Sequence, residues 1–570
     1  MKNKQLLLNT IVITAIAFSL TIIYGHQLYR HIFRAIDPYT FSDDARIYIP
    51  SISKLSSHQL SQNDYVANYI LKVIIPFGYS ETYRFFTFLE TPEVVSKFLP
   101  YVLWVLVLIA MGISSWKIGM GSTCWATLAF TIGPQLFFDR MMGGVPRSFG
   151  FPLTALSIYF IVSGRVSYLA LTTVLSAFFY PAAGVCIGIS LAVLSVLGPN
   201  LRGDLSLWSL KRRIILLFLV GINSCLLVFP QFLNSNLYGE RVTPSNILEF
   251  PEAGPGGRYG GSDRPPFPGY IQSAKKIINS VFVARSMQFY SNAKTLREVK
   301  ANTKDKQKIF QYITLISILT ILIFLIKNQI SNKVIYIRVL IFLLASIFCY
   351  QLSIFVFPYF YLPQRYILYS LPLVLILLIP ASFYELSRVF LKSRMLQQTL
   401  VFAISGTVLF VFGGLFDPTA GYMSIKKDAR GLYRFLEGVS AESTVAGWPK
   451  GAINNVEYLS KKPVLLTYET HQAFNRDYII EMRARMNALV SALYATDLLP
   501  IKLLRDNFSV RYLIVEDRFY QGSAPKYFEP FNAMILDQFE KAKGNFIVNE
   551  LKSHAVFSGN GVYVLDLQTL

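Results

Sequence analysis

The chain has 570 residues, of which 53% are hydrophobic and only 15% charged, with a mean hydropathy of +0.43. A soluble domain carries about 25% charged residues, so the composition excludes a soluble fold and indicates an integral membrane protein. The formal net charge of +21 would suggest a nucleic-acid partner in a soluble chain; here cytoplasmic Lys and Arg account for part of it, and no nucleic-acid partner is expected.

In chain order, apolar runs fall at residues 6–24, 97–116, 122–138, 148–163, 167–180, 182–198, 214–232, 309–327, 336–356, 367–384 and 398–416. Crossing a bilayer core takes about 20 helical residues, and a helix satisfies its own backbone in lipid. About eleven transmembrane helices are expected. The first run follows Lys2 and Lys4 and has no Ala-x-Ala-like cleavage site, so it reads as a retained helix rather than a signal peptide. With the N-terminus inside, the cytoplasmic connections carry Lys117, Arg165, Arg202, Lys211, Arg212, Arg213, Lys327, Lys333, Arg388, Lys392 and Arg394, against Asp204 and Glu385. That bias follows the positive-inside rule and puts loops 25–96, 139–147, 233–308 and 357–366, together with the C-terminal region, on the outer face of what reads as a bacterial inner membrane.

Loop 25–96 contains amphipathic stretches at 44–55 and 66–75 that read as short helices lying in the interface. Loop 233–308 is dense in Gly and Pro at 251–261 and 265–269, which resists regular structure and suggests a flexible flap or an unstructured insertion. Residues 1–423 thus form a membrane module. Residues 424–570 read as a soluble α/β domain, with short strands at 445–447, 464–468, 512–516 and 562–565 and a helix over 476–498. No glycine-rich phosphate loop follows a strand, so nucleotide binding has no support. The four cysteines, Cys124, Cys186, Cys225 and Cys349, lie in apolar runs, and neither disulfides nor a thiolate metal site is expected. His26, His31, His58, His471 and His554 lack zinc-ligand spacing, and no Gly-x-Ser-x-Gly elbow is present. Glu469, His471, Arg476, Arg483 and Arg485 read either as contacts to an acceptor or as a solvated helix face.

Three outer constellations carry candidate chemistry. The first is Phe41-Ser42-Asp43-Asp44-Ala45-Arg46-Ile47-Tyr48. A carboxylate at the interface is partly desolvated, which raises its proton affinity above the usual value of about 3.9 and suits a base; the competing reading is a cap on the helix that follows. The second is Asp139-Arg140-Met141-Met142-Gly143-Gly144-Val145-Pro146-Arg147. Its paired guanidiniums suit phosphate, and its glycines allow a ligand to approach the backbone closely; the alternatives are snorkelling arginines or an ion pair from Asp139 to Arg147. The third is Tyr361-Leu362-Pro363-Gln364-Arg365-Tyr366, where Arg365 either meets a lipid phosphate or belongs with its tyrosines to an aromatic belt.

In layout and in these motifs the chain resembles the GT-C superfamily of integral-membrane glycosyltransferases, which includes protein O-mannosyltransferases, the catalytic subunit of oligosaccharyltransferase and lipid A aminoarabinose transferases. The resemblance implies an inverting transfer of a sugar from a polyprenyl-phosphate donor to an extracytoplasmic glycan, lipid or protein. Asp43 or Asp44 would be the base, with Asp43 preferred. Arg140, Arg147 and Arg365 would hold the donor phosphate, supported by Asp139, Tyr48, Tyr361 and Tyr366. The Trp-rich acceptor signature of oligosaccharyltransferases is not found, which speaks against a sequon-recognising enzyme. No second acidic motif beyond Asp139 completes a metal site, so dependence on a divalent metal stays open. A transporter or flippase of an anionic lipid-linked substrate, or a non-catalytic scaffold, are the rival readings.

Overall fold

The computed structural model describes residues 2–56, 64–133, 135–243, 245–254, 256–258, 271–278, 293–356, 362–412 and 417–570. Among them six helices are long and apolar enough to cross a membrane: Asn9–Ala35, Pro92–Ile132, Leu210–Tyr238, Lys308–Ile326, Lys333–Phe355 and Arg365–Phe390. The runs expected at 97–116 and 122–138 meet in one stretch, Pro92–Ile132, that breaks at Met120, whose φ of 66° and ψ of −144° are not helical. The runs at 148–163, 167–180 and 182–198 form helices of 14, 11 and 16 residues, each shorter than a straight crossing requires.

The bundle is organised around Ser370–Phe390. Residues 371–379 all carry apolar side chains, and every one is buried. A helix that is apolar all round sits either in lipid or at the centre of a protein, and here neighbouring helices enclose it. Those neighbours are Pro92–Ile132, Gly150–Ser163, Ala293–Ile326, Lys333–Phe355 and Arg394–Phe412. Glu385, expected in a connecting loop, lies inside this helix and is buried. It accepts hydrogen bonds from Ser331 and from the Tyr336 hydroxyl at 3.0 Å, and pairs with Arg388 at 2.8 Å. Buried charge persists only when satisfied in this way.

The loop after the first helix folds as Ala45–Ser56, Tyr65–Tyr69 running into a π turn over Ile70–Ile74, and Phe77–Phe86. Asp64 caps the second of these, accepting from Ala67 N at 3.0 Å. Strand β1, Thr40–Phe41, pairs antiparallel with β2, Met423–Ser424. The remaining strands, β3 (Thr444–Gly447), β4 (Val510–Glu516), β5 (Phe557–Gly559) and β6 (Val562–Asp566), form one sheet in the order β3-β4-β6-β5. β3 and β4 are parallel and the other pairs antiparallel.

Two differences from the sequence-based expectation have local causes. Residues 464–468 contribute only the bridge from Val445 to Val464, because Thr467 and Thr470 exchange backbone-to-hydroxyl bonds at 2.9 and 3.1 Å and curl the chain into a turn. β5 escaped notice because Phe557-Ser558-Gly559 is too short and too weakly patterned to stand out. The helix expected over 476–498 ends earlier, at Leu493.

That helix, Arg476–Leu493, is solvated along one side, where Arg476, Asp477, Ile480, Ala484 and Asn487 are exposed, while Arg483 and Arg485 are engaged. Arg483 pairs with the fully buried Glu252, and Arg485 donates to the Leu465 carbonyl and pairs with Glu481 at 2.8 Å. Arg258 pairs with Glu469 at 2.8 Å and lies over the Tyr468 ring, and Gly256 O accepts from Glu529 N. The described part of the Gly- and Pro-rich loop is therefore pinned to the C-terminal region, while 259–270 lies outside the described residues. His471 is buried among Tyr527, Phe528 and Phe531, with Nδ1 3.2 Å from the Tyr527 hydroxyl. Burial first, and then the positive charges of Arg258 and Arg483, push its pKa down to about 3.

Because the unfolded chain takes up this proton near pH 6.5 and the folded chain does not, stability should fall as pH drops from about 6.5 towards 3, by at most about 1.4 kcal/mol per pH unit. Thermal midpoints of the full chain in detergent should show this slope between pH 6.5 and 4. His471→Phe, which keeps the apolar packing, should flatten it, and an unchanged slope would assign the acid sensitivity elsewhere.

Candidate active site

The acidic pair sits in the turn between β1 and the helix Ala45–Ser56. β1 is tied down from several sides. The Thr40 and Ser424 hydroxyls are 2.7 Å apart, Ile425 N donates to Tyr39 O at 3.0 Å, and Arg430 pairs with Asp37 at 2.7 Å while covering the Tyr39 ring. Burial raises the Asp37 pKa, but the Tyr39 amide and Arg430 more than offset that and hold the carboxyl below its usual range. The ring of Phe41 lies 4.6 Å from that of Tyr458.

The two carboxylates then part company. Asp43 is 62% exposed and pairs with Arg46, in the first turn of the helix that follows. Asp44 is 26% exposed, and its Oδ2 lies 2.7 Å from Arg147 Nη1. Neither takes the capping role by side chain; the turn is closed by backbone bonds from Ala45 N to Ser42 O and from Ile47 N to Asp44 O. Arg46 continues away from the turn, donating to Asn455 Oδ1 at 3.0 Å. Further along, Lys54 sits between Asp64 and Glu457, at 3.1 Å from the latter. Burial by itself would depress the Lys54 ammonium, yet the two carboxylates raise it above its usual range. Burial also raises Glu457 despite this partner.

Arg147 reaches Asp44 because its own loop packs flush against the acidic turn. Gly143 and Gly144 have φ of 91° and 53°, conformations that favour glycine. A Cβ on Gly143 would stand 2.8 Å from Ser42 Cβ, and one on Gly144 would stand 2.6 Å from the Tyr83 hydroxyl and 3.2 Å from Ser96 O. The glycine pair expected to admit a ligand is thus closed over Ser42 and Tyr83, and Tyr83 seals the contact by donating to Gly144 O at 3.0 Å. Val145 is extended, and Pro146–Phe149 form a 3-10 turn that presents Arg147. Its Nε is buried and has no hydrogen-bond partner among the described residues.

The other expected site residues make contacts of their own. Asp139 and Arg140 belong not to a loop but to the last turn of the helix Gln135–Met141. Asp139 does not pair with Arg147 there; its Oδ1 accepts from Gly421 N at 2.7 Å, and a Cβ added to Gly421, whose φ is 71°, would stand 2.7 Å from Phe138 O. Arg140 is half-buried. Arg365, also half-buried, begins the short helix Arg365–Leu368, which the chain brings to the Arg147 loop by stacking Tyr369 on Gly150, where an added Cβ would meet the ring at 2.7 Å. Tyr366 is buried in the bundle, Tyr48 packs edge-on against Tyr79 at 6.0 Å, and Tyr361 lies outside the described residues.

Among the described residues no three His, Cys, Asp or Glu side chains are grouped to hold a metal ion, and Asp43 and Asp44 each face a guanidinium. The residues present do not assemble a ligand set. Sequence reasoning missed Arg46 and Asn455; only the i to i+3 spacing of Asp43 and Arg46 could have signalled the first of them.

No family model and no curated protein matches the sequence. Solved structures do match. The oligosaccharyltransferase of Archaeoglobus fulgidus tethered with an acceptor peptide containing the NVT sequon aligns at a TM-score of 0.52 and 10% identity, over 93% of this chain and 71% of that one. The archaeal oligosaccharyltransferase AglB from the same organism, in complex with an inhibitory peptide and a dolichol-phosphate, aligns at 0.51 and 11% identity, over 90% and 69%. The chain has a GT-C-type fold. ArnT from Cupriavidus metallidurans in the apo state aligns more loosely, at 0.41 and 11% identity, over 97% of this chain and 98% of that one. At these identities the likeness is one of fold.

The closed glycine contact is directly testable. Gly144→Ala should destabilise the protein by about 1–3 kcal/mol through strain and the Tyr83 clash, read as a lower midpoint of unfolding in detergent. Gly221→Ala, where nothing stands within 4 Å, should leave the midpoint unchanged.

Proposed function

We propose that the chain is a glycosyltransferase moving a sugar from a polyprenyl-phosphate donor to an acceptor on the extracytoplasmic face of a membrane. The observation that carries this reading is the half-buried ion pair of Asp44 with Arg147, whose Nε–H is a buried donor with no partner among the described residues. A buried donor left unpaired costs about 1–3 kcal/mol, and an anionic oxygen would repay that. The GT-C-type fold agrees, and the archaeal oligosaccharyltransferase of that fold was solved with a dolichol-phosphate.

In this reading the donor phosphate and Asp44 compete for one guanidinium. When the phosphate takes Arg147 in a bidentate geometry, Asp44 is released beside the anomeric carbon. Its carboxylate then accepts the proton of the acceptor hydroxyl as that oxygen attacks. The bond from the anomeric carbon to the phosphate oxygen breaks, and the lipid phosphate leaves with the electron pair, inverting the centre. Arg147 stabilises the charge that develops on the leaving phosphate, with Arg140 and Arg365 drawn in from the neighbouring turns. Asp44 is assigned the base in preference to Asp43, because Asp43 is mostly exposed and is held by Arg46. No step is routed through a metal.

Removing a general base typically costs 10²–10⁴-fold in rate. Asp44→Asn should therefore lower turnover of radiolabelled polyprenyl-phosphate sugars by about that factor, in purified protein supplied with membrane extract as acceptor source, while Asp43→Asn loses less than about tenfold. Full activity of Asp44→Asn would reject the assignment, and full activity of both variants would reject the acidic pair altogether.

A further inference from the structure

A cleft of about 520 Å3 opens beside the four-stranded sheet, and nothing in the chemistry above uses it. It lies where the parallel strands β3 and β4 end, with Gly451 and Ala452 following the first and Glu516 closing the second. The carboxyl ends of parallel strands are where such sheets bind ligands, and the volume falls within the range of about 300–1,000 Å3 usual for small-molecule sites.

The floor is built from polar groups that are themselves buried: Tyr433, Asn455 and Glu516 are 2%, 8% and 5% exposed. They are fixed by one another and by the backbone. Glu516 accepts from Ala452 N at 2.8 Å and from Arg518 at 2.7 Å, and a Cβ on Gly451 would collide with its carboxylate at 1.9 Å. The Tyr433 hydroxyl donates to Ala452 O at 3.2 Å and accepts from Asn455 Nδ2 at 3.0 Å. The opening is framed by the exposed Gln521 and Asn560, with the ring of Phe557 at one side. The exposed Gln521 and Asn560 amides and the remaining lone pairs of the Glu516 carboxylate offer donors and acceptors, and the half-buried Phe557 ring adds an apolar face. That combination suits a sugar, which presents hydroxyl groups around its edge and C–H bonds on its face. It does not suit a lipid chain, which needs a long aliphatic groove.

The floor is also joined to the acidic turn. Asn455, while lining the cleft, accepts at its Oδ1 from Arg46, and Arg46 holds Asp43. Resting on the glycosyltransferase reading, we propose that this cleft is the acceptor subsite and that it binds a carbohydrate rather than a peptide or a lipid. The Asn455 to Arg46 bond couples occupancy of the cleft to the position of the turn carrying Asp43 and Asp44.

The test uses the full chain in nanodiscs and saturation-transfer NMR with methyl glycosides of mannose, glucose, galactose and N-acetylglucosamine. At least one glycoside should receive saturation, and Gln521→Trp, an exposed substitution that fills the opening, should weaken its binding at least tenfold. Saturation of none of them, or binding unchanged in Gln521→Trp, overturns the proposal, as does saturation confined to a control peptide. Asp44→Asn should bind the glycosides as the unaltered protein does. Binding that survives while Asp44→Asn still turns over donor would overturn the transferase reading, and with it the acceptor role, but not the cleft as a carbohydrate site.

Discussion

The backbone contact of Gly143 and Gly144 with Ser42 and Tyr83 is the constraint on which the candidate site depends. Two segments about a hundred residues apart meet there without room for a single extra carbon, and the meeting sets Arg147 against Asp44. Were either segment displaced by the width of a methyl group, the guanidinium and the carboxylate would no longer share one hydrogen bond. Close-packed interiors transmit such displacements rather than absorb them, so the site inherits its precision from a contact that has no chemistry of its own.

Around that contact the C-terminal region serves as scaffold for the first long loop. β2 zips onto β1, Arg430 onto Asp37, Asn455 onto Arg46 and Glu457 onto Lys54. These bonds run from one end of the chain to the other, and the charged ones among them are partly or wholly buried. Cutting a buried pair by removing one partner is costly, since it leaves an uncompensated charge. The acidic turn is consequently held by groups contributed from residues 423–457, and one of them, Asn455, also lines the polar cleft. The pinning of Glu252 and Arg258 to Arg483 and Glu469 extends this role to the segment following the helix Leu210–Ser235.

Much of this was legible in advance because the bilayer and the helix each leave a strong periodic mark. Long apolar runs mark helices well, since every one of the eleven runs falls mostly on helix, but they mark spans less well, since six helices among the described residues are long and apolar enough to cross. The double glycine was also visible, though its purpose was misread. A sequence shows that the backbone must come close to something at 143–144, and it does not show whether that something is a ligand or Ser42. Asp139 and Arg147 were plausible partners by proximity in sequence, yet each found a partner from elsewhere, Gly421 and Asp44, since contacts in a packed bundle are decided by which helices are neighbours. Arg46 and Asn455 left almost no trace, because a lone arginine after an aspartate and a lone asparagine are ordinary surface residues until the fold puts them together.

Read alone, the amino-acid sequence marks a membrane protein and most of its helices. These follow from composition and periodicity, which are local. It takes the folded chain to show that Asp44 faces Arg147 while Asp43 turns to Arg46, that Glu385 is buried, and that one side of the helix at 476–493 docks while the other stays exposed. Those outcomes depend on pairings across hundreds of residues, set by packing and by the need to satisfy each buried charge, and no local pattern encodes them.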